Sequence, residues 1–137
     1  WAVVADRPKP ASGELRDWLV KDERLKKVVV TRRGMTDAKE AVLTYQTKGP
    51  VPGGTWLEIE LQTGRKHQIR VQLAQRGWHI LGDQKYGSKA SFPHGIALHA
   101  RTLKFDHPVK HEPLEFTAAL PKSWRAFQIE EFEKPAT

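Results

Sequence analysis

Cysteine is absent from the 137 residues, and methionine occurs only once, at Met35. Without cysteine the chain has no disulfide framework, no thiolate metal site and no cysteine nucleophile. No apolar run approaches the ~18 residues that a membrane-spanning helix needs. These absences favour a cytoplasmic protein without membrane contact as the default expectation.

The first residues already look like the inside of a structural element. Trp1-Ala2-Val3-Val4-Ala5 is strand-like in composition and has no turn signal before it. A translated chain starts with methionine, so we expect an upstream part to be missing. Because the length suits one hydrophobic core, we predict a single partial domain over residues 1–137.

Positive charge is concentrated in one stretch of the sequence. Between Thr63 and Lys104 there are eight basic residues and one acidic residue, Asp83, whereas the other 15 Lys and Arg are matched by 15 Asp and Glu. Such a concentration favours a polyanionic partner, because phosphate contacts release counterions and give strong attraction. The alternatives are an accidental basic face and a metabolic enzyme with an anionic substrate.

Hydrophobic periodicity and turn residues predict more strands than helices. Strict alternation from Thr55 to Gln62 predicts a half-buried strand. The other predicted strands are 1–5, 27–31, 38–48, 96–105 and 114–120, of which 38–48 also fits a helix. The predicted helices are 14–21 capped by Ser12, 65–76 closed by Gly77, and 124–133, and residues 49–54 read as a loop. We therefore predict an α+β fold, with a mixed, mostly antiparallel β-sheet and a few flanking helices.

Basic side chains surround the start of the predicted helix 65–76. Free backbone N–H groups at a helix N-terminus attract anions, and Arg65, Lys66 and His67 add charge of the same sign. Arg70 lies between Ile69 and Val71 on an otherwise apolar helix, where a partly buried arginine needs a bidentate acceptor. We find no obvious acceptor for Arg70 in this sequence, and a structural ion pair is the alternative.

Metal and nucleotide sites have little support. Of the six histidines only His107-x3-His111 has a ligand-like interval, and it contains Pro108 and lacks a cysteine or acidic companion. The common nucleotide-binding, serine-hydrolase and zinc-protease motifs are absent. We therefore predict no metal site.

Three sequence elements resemble the RluA-type family of RNA pseudouridine synthases. Residues Leu57–Val71 look like its T-G-R-x-H-Q-I-R-V element. Residues Gly77–Gly87 are similar to its G-x-P-I-x-G-D-x-x-Y-G element, with His79 where proline is usual. Residues Ala97–Pro108 look like its L-H-A-x-x-L-x-F-x-H-P element. The three elements occur in the family's order, which makes the match specific.

The resemblance implies isomerisation of uridine to pseudouridine in rRNA or tRNA, with no cofactor. The family's nucleophilic aspartate belongs to an upstream H-R-L-D-x-x-T-S-G element that is absent from this chain. Asp83 and Asp106 belong to other motifs and are not expected to replace it. We predict that the chain alone is inactive and that the intact enzyme is a monomer. A non-catalytic RNA-binding module is the alternative function.

The resemblance also assigns roles to residues of this chain. Arg70 matches the arginine that pairs with the catalytic aspartate, and Leu98 matches the apolar wall of the uracil pocket. A slightly freer turn is expected at His79, without loss of chemistry. The residues expected to contact RNA are Arg65, Lys66, His67, Gln68, Lys85, Tyr86 and Arg101.

Overall fold

The computed structural model describes residues 1–93, 95–106 and 108–129 of the chain. Five strands form the main sheet in the spatial order β1-β5-β4-β2-β3, and β6 and β7 form a separate hairpin. All of these pairings are antiparallel, which confirms the predicted α+β fold. The elements are β1 (Ala2–Val4), β2 (Ser12–Asp22), β3 (Lys27–Thr31), β4 (Lys39–Val51), β5 (Gly54–Leu61), α1 (Gln68–Gln75), β6 (Thr102–Asp106) and β7 (Pro113–Thr117). Short 3-10 helices lie at Gln84–Tyr86 and Lys122–Phe127.

The predicted strands at 1–5, 27–31, 38–48 and 55–62 are confirmed as β1, β3, β4 and β5. The predicted loop 49–54 is shorter than expected, because β4 continues to Val51 and β5 begins at Gly54. Pro52 and Gly53 alone make the turn, with Gly53 at φ 86°. A positive φ suits glycine, which has no Cβ to clash.

The predicted helix 14–21 is wrong, since these residues lie in β2. Leu15 and Leu19 are both buried, and a separation of four residues fits one face of a helix as well as one face of a strand. The neighbouring strands decide between helix and strand, because β2 pairs with β4 on one side and with β3 on the other. Ladder hydrogen bonds on both sides make β2 a central strand.

The core lies between α1 and one face of the sheet. Leu15, Leu43 and Leu57 of that face and Leu73 of α1 belong to one buried cluster. The helix begins at Gln68 and not at residue 65, because the preceding residue has a left-handed backbone. Its end is as predicted, with a glycine at φ 82° directly beyond the last turn.

Two irregular segments pair with the free side of β1. Val4 forms a bridge with Ile80, and Ala2 forms a bridge with Leu98. The predicted strand 96–105 is regular only from Thr102, and the predicted strand 114–120 is β7, which ends at Thr117. The predicted terminal helix is a short 3-10 helix, and its part beyond residue 129 lies outside the described residues. No helix within the described ranges is long and apolar enough to cross a membrane.

Candidate active site

The loop before α1 is fixed by a buried amide. The Gln68 side chain is 3 % exposed, and its Oε1 accepts hydrogen bonds from Thr63 Oγ1 at 2.8 Å and from the Arg65 backbone N–H at 2.9 Å. Its Nε2 donates to the Val42 carbonyl at 3.1 Å. The amide therefore ties the loop to β4. Gln68 is thus buried in this chain, and its contact with RNA stays a prediction.

Exposed cations remain around this loop. Arg65, Lys66 and Lys85 are exposed, and the Arg65 Nε donates to the Glu40 carbonyl at 3.0 Å. Within the described part of the chain no carboxylate forms a salt bridge with any of the three. They are therefore open to an external anion, as the sequence predicts for RNA phosphate.

Arg70 forms a bidentate ion pair inside the chain. Its Nε donates to Asp83 Oδ2 at 3.0 Å and its Nη2 to Asp83 Oδ1 at 2.8 Å. The Asp83 side chain is 2 % exposed and that of Arg70 is 19 % exposed. The expectation that this chain offers Arg70 no acceptor is therefore wrong. The hydrogen bonds to Asp83 are the main cause that raises the pKa of Arg70, so the guanidinium stays charged.

Tyr86 supports this ion pair from one side. The Arg70 guanidinium carbon lies 4.9 Å from the centre of the Tyr86 ring, a cation–π distance. The Tyr86 hydroxyl accepts a hydrogen bond from the Val28 backbone N–H at 3.1 Å and lies 2.7 Å from His67 Nδ1. Tyr86 is buried and links β3, Arg70 and the loop before α1. Its direct contact with RNA stays a prediction.

The surroundings of His67 favour its neutral form. The Tyr86 hydroxyl accepts from the Val28 N–H and keeps both its proton and a second lone pair for the 2.7 Å contact with His67 Nδ1. Burial lowers the pKa of His67, and nearby cations lower it further: Arg70, Lys85 and Lys66. Both effects favour the neutral form of His67 beside the charged groups.

Leu98 and Arg101 lie on the segment that follows. Leu98 is half-buried, and the adjacent Ala97 N–H donates to the Leu81 carbonyl at 2.9 Å. The segment bearing Leu98 therefore lies beside the one that leads into Asp83. Arg101 is 6 % exposed, donates to the Ala118 carbonyl and stacks over the Trp1 ring at 5.0 Å. Arg101 is thus buried in this chain, and its contact with RNA stays a prediction.

A second arginine–aspartate pair lies at the other end of α1, and the sequence patterns did not predict it. Arg76 Nη1 donates to Asp17 Oδ2 of β2 and to the Gln72 carbonyl. The Gln72 Nε2 donates to the same aspartate oxygen at 3.0 Å and to the Leu15 and Ala41 carbonyls. These hydrogen bonds fasten the helix to the sheet. They could not be anticipated while β2 was predicted as a helix.

Asp83 is the functional candidate that sequence reasoning passed over. It is the only acidic residue among eight basic ones between Thr63 and Lys104, and that isolation was a usable signal.

The His79 ring lies against Gly87, where an added Cβ would be 3.1 Å from the ring carbon Cε1, and the His79 carbonyl accepts from the Ala5 N–H. Over the described ranges no group of three or more His, Asp or Glu side chains is placed to hold a metal ion.

Comparison with known proteins supports the interpretation of the motifs. The family profile described as RNA pseudouridylate synthase matches residues 1–75. An RNA pseudouridine synthase of Bacillus subtilis is 42 % identical over 95 residues, which cover 66 % of this chain and 31 % of that protein. One from Chlorobaculum parvum is 34 % identical over 140 residues, covering 88 % of this chain and 42 % of the relative. The ribosomal large subunit pseudouridine synthase D of Vibrio cholerae is 41 % identical over 97 residues, covering 61 % and 30 %.

Solved structures agree on the fold. Human RNA pseudouridylate synthase domain containing 4 superposes with a TM-score of 0.71 at 26 % identity, covering 95 % of this chain and 61 % of that one. The chain spans less than half the length of these three bacterial relatives. The profile match, the motif order and the common fold together show that this chain belongs to the RluA-type family of RNA pseudouridine synthases.

Proposed function

We propose that the chain is the C-terminal portion of a catalytic domain that converts uridine to pseudouridine in rRNA or tRNA. Support comes from the family membership and from the group of exposed cations beside the Arg70–Asp83 pair. The observation that carries the proposal is the state of Arg70. Its guanidinium is 19 % exposed, held on one edge by Asp83, and still able to donate from the other.

In this proposal Arg70 pairs with the nucleophilic aspartate of an upstream segment. A charge-assisted pair keeps that carboxylate ionised and oriented. The enzyme extrudes the target uridine, at a cost of a few kcal/mol in unstacking, and Leu98 contributes an apolar wall for the base. The base is detached, turned and rejoined to the ribose through C5. No cofactor is needed for this isomerisation.

RNA is expected to approach the exposed side of the loop before α1. Arg65, Lys66 and Lys85 supply phosphate contacts, and His67 supplies an imidazole whose neutral form is favoured. Gln68 and Tyr86 are buried beside this loop, and contact of Gln68, Tyr86 and Arg101 with RNA stays a prediction. The cytoplasmic setting and the monomeric state of the intact enzyme stay predictions.

The test uses the full-length protein and the 137-residue chain side by side, with rRNA and tRNA transcripts labelled with tritium at uridine C5. Forming the new bond at C5 expels the C5 hydrogen, so activity appears as tritium released into water. We expect release by the full-length protein and none by the 137-residue chain.

Release by the isolated chain would contradict the assignment of the nucleophile to an upstream segment. RNA binding by the full-length protein without release from any transcript would favour the alternative, a non-catalytic RNA-binding module.

A further inference from the structure

The turn at residues 84–88 carries Lys85, one of the exposed cations beside the loop before α1. The backbone hydrogen bonds of this turn are local. Within the described residues, its backbone N–H groups donate to carbonyls of residues 82–84 and to none further away. The position of Lys85 relative to the rest of the chain therefore depends on the side chains that pack around the 84–88 turn.

One of these contacts reaches the segment before α1. The Tyr86 hydroxyl accepts from the Val28 N–H at 3.1 Å and lies 2.7 Å from His67 Nδ1. Lys85 is close enough to His67 for its charge to lower the pKa of that imidazole. This contact places Lys85 beside the surface that RNA is expected to approach.

A second contact reaches the segment after α1, through the ring of His79. A Cβ added at Gly87 would lie 3.1 Å from Cε1 of that ring, 3.5 Å from Nδ1 and 3.8 Å from Nε2. The ring therefore covers Gly87, which has a φ of 100° that suits glycine. The His79 backbone is itself anchored, because its carbonyl accepts from the Ala5 N–H at 2.9 Å and Ile80 forms a bridge with Val4.

The His79 ring acts on the turn by its shape. Its Nδ1 is buried and has no hydrogen-bond partner in the part of the chain that the structure describes. The ring also distinguishes this chain from the family motif, which has proline at position 79. A side chain that packs against a turn without a hydrogen bond from Nδ1 can restrict the turn only through the volume that it occupies.

We propose that His79 is a positioning residue whose ring holds the 84–88 turn in place, so that Lys85 is directed toward an RNA phosphate. This inference rests on the proposed function and gives position 79 a part in RNA affinity. The turn is then held from both ends of α1, by Tyr86 beside His67 and by the ring of His79.

The test is the salt dependence of RNA binding by the full-length protein, measured with the rRNA and tRNA transcripts. Lys85→Ala should reduce the slope of log binding constant against log salt by about one, since one phosphate loses its lysine. His79→Ala should reduce the slope by a similar amount although Lys85 is still present. The double variant should bind like Lys85→Ala, because two changes that remove one contact are not additive.

His79→Phe is the matched control for His79→Ala. Both variants remove the two ring nitrogens and any charge they carry, but phenylalanine keeps a flat ring over Gly87. We expect His79→Phe to bind with the wild-type slope. A loss in His79→Phe equal to that in His79→Ala would show that a nitrogen of His79 meets the RNA itself, which overturns the positioning role.

Urea unfolding shows whether each variant is folded. If His79→Ala is not, Gly87→Ala takes its place, because it keeps every charged group and its Cβ would meet the His79 ring at 3.1 Å. The turn must then shift, and the slope should again fall by about one. Additive losses from the changes at positions 79 and 85, or a wild-type slope in either disrupting variant or in Lys85→Ala, overturn the inference.

Tritium release by the same wild-type preparation separates this inference from the proposed function. RNA binding without release from any transcript refutes the proposed isomerisation, and the binding comparison still decides the role of His79. Wild-type protein that binds none of the transcripts overturns both.

Discussion

The two arginine–aspartate pairs near the ends of α1 have the same chemistry and different geometry. Arg76 reaches Asp17 through one nitrogen, Nη1, which also donates to the Gln72 carbonyl. Arg70 instead donates to both oxygens of Asp83, from Nε at 3.0 Å and from Nη2 at 2.8 Å. The first aspartate belongs to a sheet strand, whereas the second lies in the loop that leads into a 3-10 turn.

The difference distinguishes the Arg76–Asp17 pair, which is structural, from the Arg70–Asp83 pair, to which we assign a part in catalysis. Gln72 reinforces the Asp17 interaction and adds bonds to the Leu15 and Ala41 carbonyls, so Gln72 and Arg76 together join the helix to the sheet. The partners of the Arg70 pair are instead a tyrosine ring and, through it, a neutral histidine near exposed lysines. An ion pair in a protein therefore indicates function only through what else surrounds it and which donors it leaves unused.

Replacing each arginine in turn gives the largest expected difference. In the full-length protein, Arg70→Gln should lower kcat/KM for pseudouridine formation by roughly a hundredfold or more, since a preorganised charged donor is removed. It should also lower the free energy of unfolding by about 3–5 kcal/mol, because Asp83 is left buried without its counter-charge. Tritium release and urea unfolding measure the two effects.

Arg76→Gln is the matched control for that experiment. Asp17 keeps the Gln72 hydrogen bond, so the free energy of unfolding should fall by about 1–3 kcal/mol. The kcat/KM of the folded enzyme should stay within about threefold of wild type. Equal decreases of kcat/KM in both variants would mean that the two ion pairs contribute equally to catalysis. That result would contradict the distinction between a structural pair and a catalytic one.

A smaller effect is expected from Lys66 and Lys85, the exposed lysines near His67. Lys66→Ala with Lys85→Ala should reduce the slope of log binding constant against log salt by about two, roughly one for each phosphate that no longer meets a lysine. The measurement is RNA binding by the full-length protein at several salt concentrations. Lys21→Ala with Lys48→Ala removes equal charge, from side chains that instead pair with Glu23 and Glu58, and should leave the slope as in wild type. A slope that responds equally to both double variants would place RNA elsewhere.

Local sequence patterns predicted correctly those elements whose tertiary contacts favour the same structure. The alternation of Leu57 and Ile59 with polar residues and the glycine after α1 are complete within a few residues, and both were right. Leu15 and Leu19 were ambiguous, and only the flanking strands resolve them. The motifs likewise pointed to the family, because they are strings of adjacent residues.

The candidate site was harder to predict because burial is a tertiary property. Nothing near Gln68 or Arg101 in the sequence says that the side chain points inward. The pairing of Arg70 with Asp83 spans 13 positions, and a left-handed glycine at position 82 lies at the turn that leads into Asp83. The motif that contains Asp83 is not the motif of the nucleophile, and nothing in its spacing indicates that Asp83 accepts from Arg70.

The smallest expected effect concerns pH, and it applies to the Arg70 surroundings alone because the Arg76 pair includes no histidine among its hydrogen-bond partners in the described ranges. Burial and nearby cations lower the pKa of His67 in the folded protein below its ordinary 6.5. The unfolded chain therefore takes up a proton that the folded chain does not, as pH falls below about 6.5. The contribution of His67 to stability is fully present above that pH and is lost as pH falls toward the folded pKa.

His67→Asn should flatten this dependence in the full-length protein. Asparagine tolerates the left-handed backbone at φ 55° and can accept the Tyr86 hydroxyl proton, so the fold is preserved. Urea midpoints between pH 5 and 7.5 should then fall less steeply toward acid than in wild type, whereas Arg76→Gln should give a lower curve parallel to wild type. Parallel curves for His67→Asn and wild type would show that His67 is not held neutral by the folded state.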